Sequence, residues 1–136
     1  MAISFSFRRE RSPIFGTIYR PVAEAFFRHS EQDVWQPVRM IVDTGADYTL
    51  LPRFLAPLIG IDVSTDCRKI ETRGVGGKSN VYLTRKRIVA RIGDFERRIP
   101  VGFLPIDDLP PLLGRHEFLE TFRVVFHHHT TSFDRP

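Results

Sequence analysis

An acidic residue, Asp43, stands where the sequence would otherwise build a core. It follows the apolar run 40–42, opens the tetrapeptide Asp-Thr-Gly-Ala at 43–46, and is soon followed by Leu50 and Leu51. Leaving a charge in apolar surroundings costs several kcal/mol unless the group is hydrogen-bonded or shares a proton. The placement therefore predicts a functional carboxylate on a loop that leaves a buried strand, although so short a motif is weak evidence by itself.

Length and composition predict one compact domain. The chain has 136 residues, of which 42% are apolar and 26% are charged, as is typical of a single soluble domain. We expect N-terminal strands over residues 1–34, a motif-bearing core over 35–126, and a C-terminal hairpin or tail over 127–136. The twelve phenylalanines predict an aromatic core or an aromatic subunit interface.

Cysteine usage and hydropathy bear on the compartment. Cys67 is the only cysteine, so no disulfide can form within the chain and a reduced, structural thiol is expected. Residues 1–11 contain no signal-like apolar stretch, and no segment approaches the roughly 20 apolar residues of a membrane helix. The expectation is a soluble, cytoplasmic protein without a membrane partner.

The charge balance is basic, with 20 Lys and Arg against 16 Asp and Glu, and basic clusters lie at residues 8–9, 85–87 and 97–98. Such a surface can attract nucleic acid. However, Arg85, Arg87 and Arg91 fall on alternating positions that suit the solvated face of an exposed strand. No helix-turn-helix, zinc or RNA-binding signature is present, so the sequence favours a solvated face over a nucleic-acid partner.

Strand patterns dominate the chain. Apolar residues alternate with small or polar residues over 3–7, and two further runs, 14–19 and 22–28, predict a meander in the first third. Residues 35–42 predict a strand that runs directly into Asp43. The predicted fold class is therefore all-β.

Two hairpins and two short helices are expected downstream. The segments 71–73 and 79–83 predict strand arms joined by a glycine-rich tip. Gly93 and Asp94 predict a tight turn between a second pair of strands. A short helix of about one turn is expected between Pro52 and Gly60. Apolar spacing over residues 113–122 predicts another helix.

Three elements in this order resemble the retroviral-type aspartic proteases, the retropepsin family. They are Asp-Thr-Gly-Ala-Asp-Tyr-Thr at 43–49, Gly-Val-Gly-Gly at 74–77, and Leu-Leu-Gly-Arg at 112–115 ahead of the short helix. The resemblance spans residue 43 to about residue 126. It implies an all-β, retropepsin-like acid-protease barrel with one short C-terminal helix, functional as a two-fold homodimer.

The resemblance implies an aspartic endopeptidase. The chemistry needs two carboxylates that share one proton, whereas this chain contains one Asp-Thr-Gly. A second copy must therefore supply the second Asp43 across a two-fold axis. Water activated between the two acids would hydrolyse an extended peptide, and no metal or organic cofactor is implied. The alternative is a dimeric peptide-binding or protein-binding module of the same fold that cleaves weakly or not at all.

The resemblance also implies roles near Asp43. Thr44 would hydrogen-bond to the partner's active-site loop, and Gly45 would let the backbone approach the carboxylates. Ala46 stands where pepsin-like enzymes usually carry Ser or Thr, so a hydroxyl that stabilises the carboxylates is missing and a pH optimum on the milder side of acidic is expected. Together with Asp47, Ala46 would also contact substrate.

Further roles fall on the other two elements. Residues Gly74, Val75, Gly76 and Gly77 would form a flap that closes over bound peptide and excludes water. Asp47 and Arg115 would form an ion pair that braces the dimer near the cleft, and Gly114 would let the helix start pack under the catalytic loop. The family often has Asn or Asp at the position of His116, so this chain departs from the family there.

Two other clusters, one of aspartates and one of histidines, suggest functional hypotheses. Asp107 and Asp108 could supply a second acid, but they lack a following Gly and an apolar strand before them, so a solvated loop is favoured. Three adjacent histidines, 127–129, would point to alternate faces of a strand and cannot all bind one metal ion without a bend. They are expected to form the turn of a last hairpin.

Overall fold

The computed structural model describes residues 2–74, 77–105, 107 and 109–136. Strands account for most of the regular structure. They are β1 (Ile3–Ser6), β2 (Arg8–Ser12), β3 (Gly16–Arg20), β4 (Val22–Arg28), β5 (Trp35–Val42), β6 (Thr49–Leu51), β7 (Cys67–Gly74), β8 (Gly77–Thr84), β9 (Ile88–Ile92), β10 (Phe95–Ile99), β11 (Val101–Phe103), β12 (Leu112–Leu113), β13 (Arg123–His127) and β14 (Thr130–Asp134). The predicted all-β class is confirmed.

The main sheet has the strand order β10-β9-β4-β5-β12-β6-β11-β8-β7. Its longest antiparallel pair is β4 with β5, which runs from Val22 opposite Ile41 to Arg28 opposite Trp35. In β4 every second residue is buried, with Phe27 fully so. Because side chains alternate across a strand, burial of one face fixes this register.

The first third is not the simple meander that the sequence predicted. β1 pairs with the last strand, Ile3 opposite Phe133, in a small sheet of order β1-β14-β13. β2 and β3 form a separate hairpin, and only β4 joins the main sheet. Phe5 packs edge-on against Phe133, with 6.0 Å between ring centroids. Local alternation predicts a strand but does not say which distant strand it will pair with.

Phenylalanines build the centre of the core. Phe122 makes edge-on contacts with three other rings, at 5.4 Å from Phe95, 5.5 Å from Phe118 and 5.8 Å from Phe133. Edge-to-face pairs at such distances contribute beyond the burial of area alone. This cluster joins the small sheet to the main sheet, so the aromatic core that the composition allowed is present.

Helices are short, as expected. The segment between Pro52 and Gly60 forms two 3-10 turns, Arg53–Leu55 and Pro57–Ile59, and Gly60 ends the second in the left-handed conformation. The predicted C-terminal helix is a single 3-10 turn, Leu119–Thr121. In the described residues, no helix is long and apolar enough to cross a membrane.

One helical turn was not predicted, α1 (Val63–Asp66). The Asp62 carboxylate caps it by accepting a hydrogen bond from the Ser64 amide at 3.0 Å. The hydroxyl and amide of Ser64 together lower the pKa of Asp62. An aspartate before a short polar run is a cap signal that apolar periodicity does not reveal.

The basic segment 85–87 corrects another expectation. Arg85 and Arg87 lie on the turn between β8 and β9, and only Arg91 lies on a strand. Arg87 donates two hydrogen bonds to Glu117, each at 2.6 Å. The three arginines therefore do not share one exposed strand face.

Cys67 is buried and free at the start of β7. Burial, with a smaller effect of the nearby Asp66 carboxylate, raises the pKa of its thiol from 9.0 to about 11. We expect iodoacetamide at pH 8 to label the native thiol at least about 100-fold more slowly than in urea, because only the thiolate reacts. Mass spectrometry gives both rates, and the native rate should increase as the pH approaches 11. Equal rates in buffer and urea would contradict the assignment.

The aromatic core makes a stability prediction. Replacing the fully buried Phe133 by alanine should lower the free energy of unfolding by about 3–5 kcal/mol. The loss arises because the shorter side chain leaves a cavity where the small sheet packs against the main sheet. Phe15→Ala is the matched control, since the Phe15 side chain is 77% exposed. Urea unfolding measures both. Equal losses for the two variants would show that Phe133 does not hold the core together.

Candidate active site

Asp43 directly follows the last residue of β5 and is half-buried. It lies on a loop that backbone hydrogen bonds hold in place. Its amide donates to the Leu113 carbonyl at 3.0 Å, and its carbonyl accepts from the Ala46 amide at 3.2 Å. Its carboxylate Oδ1 accepts a hydrogen bond from the Gly45 amide at 2.9 Å. One carboxylate oxygen is therefore held by the loop itself, which orients the acid.

The loop depends on strand β12, which lies between the strand that precedes Asp43 and the strand that follows it. β12 runs parallel to β5, with Leu113 opposite Val42, and antiparallel to β6, with Leu112 opposite Leu50. Residues 43–48 therefore leave β5 and return on β6, passing the end of β12. Two of the three sequence elements, 43–49 and 112–115, are thereby brought together as predicted.

Two glycines allow the backbone to come close at this junction. A Cβ on Gly114 would lie 2.2 Å from the Tyr48 carbonyl oxygen, which no side chain could tolerate without a backbone shift. A Cβ on Gly45 would lie 3.3 Å from the Asp43 carboxylate. Both positions agree with the close approaches that the resemblance implied for these glycines.

Asp47 and Arg115 form the expected ion pair. Their side chains remain 72% and 50% exposed, and an exposed pair contributes little to stability by itself. Two backbone hydrogen bonds reinforce it: the Arg115 amide donates to the Ala46 carbonyl at 2.9 Å, and the His116 amide donates to the Asp47 carbonyl at 2.8 Å. Residues 115 and 116, which follow β12, are therefore bound to residues 46 and 47 of the Asp43 loop through both backbone and side chains.

The family departure at His116 leaves this backbone contact intact. The imidazole packs edge-on against Tyr48, with 6.3 Å between ring centroids, and lies 3.6 Å from the Glu117 carboxylate. Glu117 has a left-handed backbone, with φ of 59°. Its two hydrogen bonds with Arg87 lower the pKa of its carboxyl group. Neither Glu117 nor Arg87 was singled out in the sequence as part of this region.

Thr44 and the hairpin tip complete the predicted set. Thr44 is exposed beside Asp43, and its hydroxyl has no hydrogen-bond partner among the described residues. The third element is a long hairpin, β7 with β8, paired from Cys67 opposite Thr84 to Gly74 opposite Gly77. Val75 and Gly76, which the prediction places at the tip of the flap, lie outside the described residues. The hairpin is confirmed, while its role as a flap stays a prediction.

The alternative acids and the histidines have ordinary positions. Asp107 is exposed and accepts a hydrogen bond from the Phe54 amide at 3.0 Å, whereas Asp108 lies outside the described residues. His128 and His129 form the turn of the last hairpin, with φ of 48° and 55°. His129 stacks on Tyr19 at 4.0 Å. The expected turn is confirmed at 128–129, whereas His127 is the last residue of β13, opposite Thr130.

Thr49 is a site residue whose role sequence reasoning missed. Its side chain is 1% exposed, and its hydroxyl accepts a hydrogen bond from the Gly114 amide at 3.2 Å. Thr49 belongs to the motif, but nothing in the sequence indicates that its hydroxyl reaches a residue 65 positions away. This contact fixes the start of the Gly114 segment beneath the Asp43 loop.

Two isosteric substitutions test that role. Thr49→Val should lower the free energy of unfolding by about 1–3 kcal/mol, because the buried Gly114 amide loses its acceptor. Thr131→Val is the matched control: Thr131 is also buried, but its hydroxyl has no partner among the described residues. That variant should leave stability unchanged or raise it by about 1 kcal/mol. Urea unfolding distinguishes them, and a loss for Thr131→Val as large as that for Thr49→Val would contradict the assignment.

A comparison with solved structures agrees with this fold. The structure is similar to the crystal structure of a retropepsin-like aspartic protease from Rickettsia conorii, with a TM-score of 0.68 and 20% sequence identity. The match covers 98% of this chain and 91% of that one, so the likeness extends over the whole retropepsin-like fold. No match was found among curated protein sequences.

A family model matches the part of the chain that contains the candidate site. The model described as gag-polyprotein putative aspartyl protease matches residues 35–120. This range contains Asp43, the β7–β8 hairpin and the segment 112–115, which are the three elements that carried the resemblance. The chain belongs to this retropepsin-like aspartyl protease family.

Proposed function

We propose that the chain is an aspartic endopeptidase that works as a homodimer, with one Asp43 from each copy. The observation that carries the proposal is the placement of Asp43, half-buried at the end of β5 and oriented by the Gly45 amide at 2.9 Å. The chain has a single Asp-Thr-Gly, and acid–base hydrolysis of this kind needs two carboxylates. A second copy completes the site.

The proposed reaction uses the two acids in different protonation states. The ionised Asp43 takes a proton from a water molecule, whose oxygen attacks the carbonyl carbon of the peptide bond. The protonated Asp43 of the other copy donates a hydrogen bond to the carbonyl oxygen and stabilises the tetrahedral intermediate. As the C–N bond breaks, the Asp43 that took the proton from water passes it to the leaving nitrogen, which gives a new carboxyl group and a new amine and returns that Asp43 to its ionised form.

The surrounding residues have supporting roles in this proposal. The exposed hydroxyl of Thr44 is free to reach the partner's loop, and the Asp47–Arg115 pair lies at the rim of the same loop. The β7–β8 hairpin would close over an extended peptide, which would bind as an added strand through backbone hydrogen bonds. Ala46 provides no hydroxyl, which favours a milder acidic optimum than that of pepsin-like enzymes.

The first test is cleavage of a mixed peptide library at pH 4 to 7 by the natural chain and by Asp43→Asn. We expect the variant to lose at least about 100-fold in rate, because the amide cannot act as an acid or base. Asp94→Asn is the matched control, since Asp94 lies exposed in the β9–β10 turn, and its rate should be unchanged. Equal activity of Asp43→Asn and the natural chain would refute the proposal.

Mixing the two chains tests the shared site. Natural chain refolded with a tenfold excess of Asp43→Asn should lose most of its activity, because most natural subunits would then face a partner without a carboxylate. An excess of Asp94→Asn should not inhibit. At low total concentration the rate should rise with about the square of the protein concentration. If an excess of Asp43→Asn does not inhibit the natural chain, the result would argue against a site shared between copies.

If neither the natural chain nor any variant cleaves peptide, although hydrodynamic mass shows a folded dimer, the alternative of a peptide-binding module is supported. Peptide capture that is unchanged in Asp43→Ala would then be the expected companion result.

A further inference from the structure

A cleft of about 510 Å³ lies on the outward side of the main sheet, and Asp43 and its loop do not line it. Its walls come from the end of β4 and the loop that follows it, from Gly60 and Ile61, from α1, from β9 and β10, and from the end of β8 with the turn that joins it to β9. Its volume falls in the range of about 300–1,000 Å³ that is typical of ligand sites. Five cationic side chains line it: Arg28, Arg85, Lys86, Arg87 and Arg98. The lining includes two carboxylates, Glu31 and Asp66.

Three of the cations are not neutralised by the described part of the chain. No ion pair with a described residue is formed by Arg85, Lys86 or Arg98. All three side chains are exposed and line the cleft. The Asp66 carboxylate is turned toward its own helix, where it accepts a hydrogen bond from the Asp62 amide at 2.8 Å. Cations outnumber carboxylates among the lining residues by five to two, and such an excess of positive charge attracts anions.

The strand register gathers this charge on one face. Arg98 lies opposite Val89 in the β10–β9 pair, and the register of β4 with β9, continued by one residue beyond Phe27, places Arg28 beside Val89. Their neighbours Phe27 and Ile99 are buried on the core side. Side chains alternate between faces, so Arg98, Val89 and Arg28 form a row across the outer face.

Aromatic side chains extend the same row. Trp35, the only tryptophan in the chain, lies opposite Arg28 in the β4–β5 pair and is half-buried. The Arg91 guanidinium lies 4.5 Å from the Trp35 ring centroid and 5.1 Å from that of Phe26. The outer face thus places cations and aromatic rings side by side, which is the combination that binds single-stranded nucleic acid.

We propose that the cleft and the adjoining sheet face bind single-stranded nucleic acid. Phosphates would lie against Arg85, Lys86 and Arg98, and a base would stack on the part of the Trp35 ring that the Arg91 guanidinium leaves uncovered. An acidic peptide would satisfy the cations but would make no use of the indole ring. The sequence favoured a solvated strand face because it placed Arg85 and Arg87 on a strand; their position at the wall of a cleft removes that reason.

The test is titration of the natural chain with a fluorescein-labelled oligonucleotide of twelve thymidines, followed by anisotropy and by Trp35 fluorescence. Three phosphate contacts on a single strand give a salt slope of about −2, so affinity should fall about 20-fold between 50 and 200 mM salt. Because Trp35 is the only tryptophan, stacking of a base on it should quench the intrinsic fluorescence.

Two triple variants separate the cleft from general charge. Arg85→Gln/Lys86→Gln/Arg98→Gln should weaken binding at least about tenfold at 50 mM salt and reduce the slope by about two. Arg9→Gln/Arg11→Gln/Arg135→Gln removes the same charge from exposed positions outside the cleft and should change affinity by no more than about twofold. Trp35→Leu should weaken binding at least about fivefold.

Several results would overturn the proposal. These are absence of binding at 50 mM salt, equal losses in the two triple variants, or binding without a change in Trp35 fluorescence. Poly-glutamate that competes as well as the oligonucleotide at equal charge would assign the cleft to acidic peptides instead. If the triple variant fails to fold, Lys86→Gln alone, at an exposed position, answers the same question through the salt slope. None of the residues substituted here belongs to the protease proposal, so the two proposals stand or fall separately.

Discussion

The position of Asp43 depends on the insertion of β12 between β5 and β6. The Leu113 carbonyl holds the Asp43 amide on one side, and the Gly114 amide reaches the Thr49 hydroxyl on the other. Both hydrogen bonds depend on the close approach of Gly114 to Tyr48. That approach is possible only because Gly114 has no Cβ, which would collide with the Tyr48 carbonyl. A packing constraint on the backbone therefore fixes where the loop that carries the acid lies, and the Gly45 amide then orients the carboxylate.

The sequence predicted the local parts of this arrangement well. The strand that leads into Asp43, the hairpin of β7 with β8 and the turn at 128–129 are each encoded by residues close together in the chain. The pairing of β1 with β14 was not predicted, because alternation of apolar residues carries no information on a partner more than a hundred residues away. The same reason hid the contact of Thr49 with Gly114.

The charge distribution also required the structure. In the sequence, Arg85, Arg87 and Arg91 shared a period of two and suggested one strand face. Folding separates them: Arg87 pairs with Glu117, Arg91 packs on aromatic rings, and Arg85 stays unpaired among the described residues. Periodicity assigns a face only where the strand continues, and a turn of three residues after β8 was enough to break the pattern.

Under the dimer proposal, each chain would carry half of the active site. In a single chain Asp43 remains half-buried, with one carboxylate oxygen held by the Gly45 amide and Thr44 exposed beside it. The loop is thus oriented before any association, so the second copy would supply its own acid without reorganising the first. In the proposed dimer, proton sharing and association form one equilibrium, since two carboxylates can share a proton only when both copies are present. Because each loop is already oriented in the single chain, this association would not carry the additional cost of ordering the loop.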